Sequence, residues 1–296
     1  GDHRDLHLSI RRQRQMCIRD RNQGMWKDKR TQKNLSSLRE SSFHQIGPNE
    51  GDQACGDIGP GRMSEPKEII QEVAKEFSSG LLAGKKVLIT AGPTREKIDP
   101  VRYISNKSSG KMGFSLAKAA VGESAIVTLI SGPVTLETPE RVHRIDIESA
   151  EEMREKVIEN LSDIDLFIST AAVADFKMKN AKSQKIKKVQ SKSMSLQLEK
   201  NEDILKLVSK NNPELKIVGF AAETENMIDN ARKKLSSKNL NLIVANDVSD
   251  SSIGFDSNNN EVTLITEKEE LNIPKTSKEK VARKIVQFIS KNVLDG

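Results

Sequence analysis

From Lys85 onward, short runs rich in β-branched residues alternate with stretches whose apolar residues recur every three or four positions. That alternation is the pattern of a mostly parallel sheet with crossover helices. Five runs read as strands: KVLITA from Lys86, IVTLIS from Ile126, DLFISTAA from Asp165, KIVGFAA from Lys216 and NLIVAND from Asn241. EVTLIT followed by ELNIP alternates apolar and polar residues and is broken by charges, so it predicts a late hairpin or edge addition. SKEKVARKIVQFISKNVL predicts a closing amphipathic helix. The expected fold is thus α/β, a Rossmann-like, mostly parallel sheet with flanking helices.

The pattern before Lys85 differs. Residues 64–83 begin with Ser64 and a proline near the first turn, then place Ile69, Ile70, Val73 and Phe77 at helical spacing, which predicts a helix leading into a linker. Asn22 to Met63 is a polar, helix-like stretch followed by the glycine-rich turn GDQACGDIGPGRM. Residues 1–21 show neither amphipathic periodicity nor turn chemistry, and RQRQMCIRDR resembles translated sequencing-adaptor sequence. The division expected is 1–21, a non-native leader; 22–84; and 85–296.

Composition narrows the classes. A chain of 296 residues with 35% hydrophobic content can bury a core. No apolar run is long enough to span a bilayer and the start carries no signal pattern, so a cytoplasmic protein with no membrane partner is expected. Cys17 and Cys55 form no disulfide framework. The formal charge is +6, half of it from the six arginines and three aspartates of residues 1–21. With 3% aromatic residues there is little surface on which bases could stack, so no nucleic-acid partner is expected. His3, His7, His44 and His143 lack metal-ligand spacing.

Candidate chemistry is sought at the strand ends, where open α/β sheets bind ligands. After the first strand comes TAGPTREKIDPVRYISNKSSGKMG, with neither the dinucleotide G-x-G-x-x-G nor the P-loop spacing. Ser108, Ser109 and Gly110 fit either an anion site at a helix start or a serine cap. Asp175, closing STAAVADF, fits a ribose or base contact or a turn aspartate. Lys185, Lys187 and Lys188 fit a triphosphate-neutralising loop or a solvated charge run. Phe220 fits a base cover or core. Lys234 and Lys238, four apart on a predicted helix, share one face.

Taken together, ITAGPTREKIDPVRYISNKSSGKMG, STAAVADF with KIKK beyond it, KNEDI, VGFAAET, KKLSSKN, and ANDV with GFDSNNNEV closely resemble the ligase half of the bacterial bifunctional phosphopantothenoylcysteine decarboxylase/phosphopantothenate-cysteine ligases. The resemblance implies ligation of L-cysteine to 4'-phosphopantothenate with CTP and Mg2+ through an acyl-cytidylate, in a homodimer. It assigns nucleotide contacts to Ser169, Thr170, Ala171, Asp175, Lys185, Glu202, Asp203, Ile204, Leu205, Phe220, Lys234 and Lys238. Lys185 would assist acyl-cytidylate formation, Asn106 would orient it for attack, and Arg102 would hold the phosphopantothenate end. Metal ligands are not assigned, since substrate phosphates can supply them. Glu202 departs from the family's usual proline in KNPDI.

Upstream, NQGMW and QACGDIGPGRM resemble the substrate clamp and active-site cysteine loop of the decarboxylase half, with Cys55 as that family's proton donor. Because the flavin-binding front portion and its catalytic histidine are not found, residues 22–84 are expected to be a truncated remnant. On that reading Cys55 is inactive, decarboxylase activity is absent and FMN is not expected. The competing readings are a Rossmann-like nucleotide binder without ligation and a basic anion binder.

Overall fold

The computed structural model describes residues 23–41, 43–52, 58–76, 79–187, 195–223, 226–247 and 257–294. The chain divides into two compact units, Gly1–Phe77 and Ser78–Gly296.

In the first unit, α1 (Gln23–Lys27) and α2 (Lys29–Glu40) precede an antiparallel hairpin of β1 (Asn49–Asp52) and β2 (Ile58–Arg62), followed by α3 (Pro66–Glu76). Asp28 starts α2 by accepting the Arg30 N–H at 2.8 Å. The helix expected over residues 64–83 is shorter, and its Ser64 hydroxyl donates to Asn49 Oδ1 at 3.2 Å. Ile70 and Val73 are exposed, and none of this unit's apolar side chains whose burial is described is buried. Phe77 lies outside the described residues.

The second unit is built on one sheet of eight strands. Its parallel part comprises β3 (Lys86–Ala91), β6 (Ile126–Ser131), β7 (Val142–Asp146), β8 (Leu166–Ser169), β11 (Lys216–Glu223) and β12 (Leu242–Asp247), in spatial order β7-β6-β3-β8-β11-β12. β13 (Asn259–Ile265) and β14 (Glu270–Ser277) extend it antiparallel beyond β12, as the late hairpin expected from the sequence. Two short hairpins stand apart from the sheet: β4 (Arg95–Lys97) with β5 (Tyr103–Ser105), and β9 (Phe176–Met178) with β10 (Leu198–Lys200).

The strands alternate side chains between two helix layers, because successive residues of a strand face opposite sides. Val87, Ile89, Leu166 and Ile168 pack on one side with α4 (Lys111–Gly122) and the closing helix α8 (Lys278–Ile289). Leu88 and Phe167 pack on the other with α5 (Ala150–Glu159), α6 (Ile204–Asn211) and α7 (Met227–Ser237). The chain therefore runs outward from β3 through β6 to β7, then returns to β8 on the other side of β3. This is the 3-2-1-4-5-6 order of doubly wound sheets, whose ligand crevice opens where the order reverses. Here that is between the ends of β3 and β8.

Two glycines make the crevice possible. A Cβ on Gly132, just after β6, would lie 1.7 Å from the Pro93 carbonyl oxygen, and one on Gly113 would lie 2.5 Å from both Ala91 Cβ and Thr170 Oγ1. Only glycine lets these segments approach so closely. Among the described residues no helix is long and apolar enough to cross a membrane.

Candidate active site

A cavity of about 500 Å³ opens at the carboxyl ends of β8, β11 and β12. One wall is the Asn106–Gly113 stretch that follows β5 and enters α4. Thr170–Val173 and Asp175 form the floor; Phe220, Ala222, Asn246, Asn260, Lys234 and Lys278 complete it. Gly110 is the residue before α4, at φ 75°, and its lack of a side chain leaves the helix start without a side-chain cap. The Ser108 hydroxyl instead accepts the Gly110 N–H at 3.3 Å. A helix start bordering a cavity lined by several lysines is suited to an anion.

Of the residues singled out in the sequence, the cavity brings together Asn106, Ser108, Ser109, Gly110, Thr170, Ala171, Asp175, Phe220 and Lys234. Asn106 Nδ2 donates to the Val173 carbonyl at 2.9 Å. Among the described residues its Oδ1 has no partner. Thr170 Oγ1 donates to the Thr90 carbonyl at 2.6 Å, so this hydroxyl ties β8 to β3. Phe220 does both things open to it, packing on the core and lining the cavity.

The others are not in the lining. Ser169 pairs within the sheet, in register with Thr90 and Gly219. Ile204 is buried in the core and Leu205 packs against it. Glu202 borders a separate groove of about 400 Å³ between α5 and α6, facing Arg154 at 3.5 Å. Asp203 starts α6, accepting the Lys206 N–H at 3.0 Å and Lys238 Nζ at 2.7 Å. Lys185 is exposed on the loop between β9 and β10. Arg102 Nη1 lies 2.8 Å from Asp99 Oδ2 and 3.3 Å from the Ile186 carbonyl. Lys188 and Cys55 fall outside the described residues.

Lys278, Lys111, Asn246 and Asn260 belong to the cavity but were not singled out. The two asparagines sit in strings already notable in the sequence, ANDV and SNNNEV. Lys278 is buried, and nothing in an amphipathic helix pattern marks its first lysine as facing inward.

Burial works against ionisation of Asp203, but the Lys238 bond and the Lys206 N–H outweigh it, holding its carboxyl below the usual range. A depressed folded-state pKa stabilises the fold above the unfolded value of about 3.9, and that contribution is lost as pH falls through the folded value. Because both partners are partly exposed, the effect is less than about 1 kcal/mol. Asp203→Asn, which keeps a capping side chain, is expected to be slightly less stable than the parent in urea at pH 7, with a gap that narrows as pH falls below about 3.9. A gap independent of pH would contradict this.

Among the described residues no three His, Cys, Asp or Glu side chains are close enough to cage a metal. Among the described residues, Asp175 is the one carboxylate in the cavity lining. Such a donor set fits a magnesium ion carried largely by substrate phosphates rather than a dedicated protein cage.

The chain matches the family DFP, described as DNA/pantothenate metabolism flavoprotein C-terminal domain, over residues 82–293, and the family Flavoprotein over residues 11–78. It is 47% identical over 272 residues to the coenzyme A biosynthesis bifunctional protein CoaBC of Vibrio cholerae, covering 90% of this chain and 68% of that one. To CoaBC of Bacillus subtilis it is 46% identical over 263 residues, covering 87% of this chain and 64% of that one. A crystal structure of the C-terminal domain of a CoaBC is similar at 42% identity and a TM-score of 0.63, covering 74% of this chain and all of that one. A Cab2 structure in complex with phosphopantothenate-cysteine shares the fold at 19% identity and a TM-score of 0.59, covering 77% of this chain and 95% of that one.

These matches correct two expectations. The front segment is not a truncated remnant behind a ligase: the Flavoprotein match and the CoaBC alignments give the chain both a decarboxylase part and a ligase part. The expected absence of decarboxylase activity loses its basis. FMN likewise cannot be set aside for a chain that carries a Flavoprotein match. The expectation rested on a flavin-binding portion and a histidine not found, whereas the match rests on residues that are present. The first unit's described apolar side chains are half-buried or exposed, so those residues alone form no enclosed apolar slot for a flavin, and no step below passes through one.

Proposed function

Since this chain belongs to the DNA/pantothenate metabolism flavoprotein C-terminal domain family and is a phosphopantothenate-cysteine ligase of coenzyme A biosynthesis, we propose that its ligation is CTP-dependent and proceeds through an acyl-cytidylate in the cavity beside β8. The observation that carries this reading is the convergence of Asn106, Asp175, Phe220 and Lys234 on one cavity at the point where the strand order reverses. Phe220 offers an apolar face for a base, and Asp175 an acceptor for a ribose or base donor.

In the first step a carboxylate oxygen of 4'-phosphopantothenate attacks the α-phosphorus of CTP. The bond to the bridging oxygen breaks, and pyrophosphate leaves with its electron pair. Two anions must meet for this to happen, so the barrier is electrostatic. Lys234 borders the cavity and is assigned, with Lys185 of the exposed loop between β9 and β10, to offset the charge; a magnesium ion held by the substrate phosphates would neutralise the rest. In the second step the cysteine amine attacks the acyl carbon, CMP leaves, and the nitrogen loses its proton. Asn106, held at the cavity by its Nδ2 bond to Val173, would accept an amine N–H at Oδ1 and so orient that attack.

The homodimer reading is supported by the apolar side chains that the two short hairpins leave exposed, Val101, Tyr103, Phe176 and Leu198. The test is turnover with 4'-phosphopantothenate, CTP and magnesium, with and without cysteine, following product by mass. Cysteine-dependent formation of phosphopantothenoylcysteine and CMP is expected. CTP binding without product would contradict ligation, and equal use of ATP and GTP would contradict the base preference.

A further inference from the structure

Asp99 lies in the turn between β4 and β5, is 2% exposed, and is absent from the cavity lining. Yet its carboxylate is fully occupied. Oδ1 accepts the backbone N–H groups of Val101 at 2.8 Å and Arg102 at 2.9 Å, closing the turn. Oδ2 accepts Arg102 Nη1 at 2.8 Å and, from a segment 87 positions away, the Ile186 N–H at 3.1 Å. Ile186 stands between Lys185 and Lys187.

The loop that carries these lysines has no regular structure from 179 to 187, so its path depends on such ties. Two more accompany the carboxylate: Arg102 Nη1 donates to the Ile186 carbonyl at 3.3 Å, and the Lys182 N–H to the Ile98 carbonyl at 2.9 Å. Burial opposes charge on Asp99, but the N–H groups of Val101, Ile186 and Arg102 and the Arg102 guanidinium outweigh it and hold the carboxyl below its usual range. The group is thus an anion that orders two cations at once.

We infer that Asp99 is a positioning residue for acyl-cytidylate formation: one buried carboxylate fixes the Lys185 loop and the Arg102 guanidinium in a common frame. This rests on the ligase reading above, in which Lys185 screens the nucleotide and Arg102 holds phosphopantothenate.

Asp99→Asn separates turn from tether. An asparagine that keeps its oxygen toward Val101 and Arg102 preserves the turn, and then presents an NH2 to two donors, Ile186 N–H and Arg102 Nη1. Asp99→Ser is the second variant, because a serine hydroxyl can still close the turn but is too short to reach the loop.

Three readouts are needed. Hydrogen exchange at residues 182–187 should accelerate in both variants while global unfolding in urea changes little. In a single turnover without cysteine, acyl-cytidylate formation should slow by about 10- to 100-fold, the scale expected when a reacting group is misplaced. Lys185→Ala should then add little in the Asp99→Asn background, although it has a large effect in the parent.

Unchanged exchange would overturn the tether whatever the chemistry. Faster exchange with unchanged acyl-cytidylate formation, or a Lys185→Ala effect of full size in both backgrounds, would overturn the positioning role. Faster exchange in a protein whose parent forms no acyl-cytidylate would leave the tether standing and refute the ligase reading on which the role depends.

Discussion

Lys185→Ala is expected to slow acyl-cytidylate formation by about 100-fold, the usual scale for removing one preorganised charge or donor from a developing anion. Asn106→Ala is expected to do something different. It should leave that step nearly intact and slow the attack by cysteine, so that acyl-cytidylate accumulates. The contrast follows from where the two residues lie. Asn106 borders the cavity and is held by its 2.9 Å bond to the Val173 carbonyl, which fixes its remaining oxygen as an acceptor. Lys185 is an exposed point charge on a long flexible stem, carried by a loop whose backbone is tied at Ile186, and is suited to neutralising charge rather than orienting a nucleophile. Rapid-quench analysis of labelled CTP separates the steps. Equal loss of both steps in both variants would sink this division of labour.

Gly132→Ala is expected to be the most disruptive added methyl group among the described glycines of the second unit. The added Cβ would stand 1.7 Å from the Pro93 carbonyl oxygen and 2.8 Å from its carbon, both backbone atoms that no rotamer change can move aside. Relief requires the segment after β3 to shift. That segment pairs with Ala172 through Pro93, and the Thr94 hydroxyl accepts the Ala174 N–H at 3.0 Å. Displacing it therefore disturbs the cavity floor as well as the fold. The expected loss is at least the 1–3 kcal/mol, roughly, of ordinary overpacking. Gly122→Ala is the control, since a Cβ there meets nothing within 4 Å and the residue ends α4. It should be neutral or stabilising by up to about 1 kcal/mol. Urea unfolding of the two variants decides the matter, and equal stability would contradict the close approach.

The central strands were legible because burial on both faces demands uninterrupted apolar runs, as in KVLITA and LFIS. β7 was not. As an edge strand with one neighbour it carries His143 and Arg144 in a five-residue run, without the apolar signal of its partners. The short hairpins β4–β5 and β9–β10 escaped for a related reason: three-residue strands such as REK and LEK are set by pairing, not by pattern.

At the site, placement at strand ends pointed to Asp175 and Phe220 without geometry, whereas Asn106 came only from the family resemblance. The ties that organise it could not be read, because Asp99 and Ile186 are distant in sequence and each looks ordinary locally. The helical spacing of Ile69, Ile70 and Val73 predicts α3 but not the front unit's character, since Ile70 and Val73 remain exposed.

The most direct test is a single turnover with enzyme in excess over CTP, 4'-phosphopantothenate and magnesium, begun without cysteine and chased with it. The two-step account predicts up to one equivalent of pyrophosphate per CTP before the chase, with a trapped acyl-cytidylate that cysteine converts to phosphopantothenoylcysteine and CMP. Pyrophosphate release only when cysteine is present from the start, with no intermediate to chase, would contradict it.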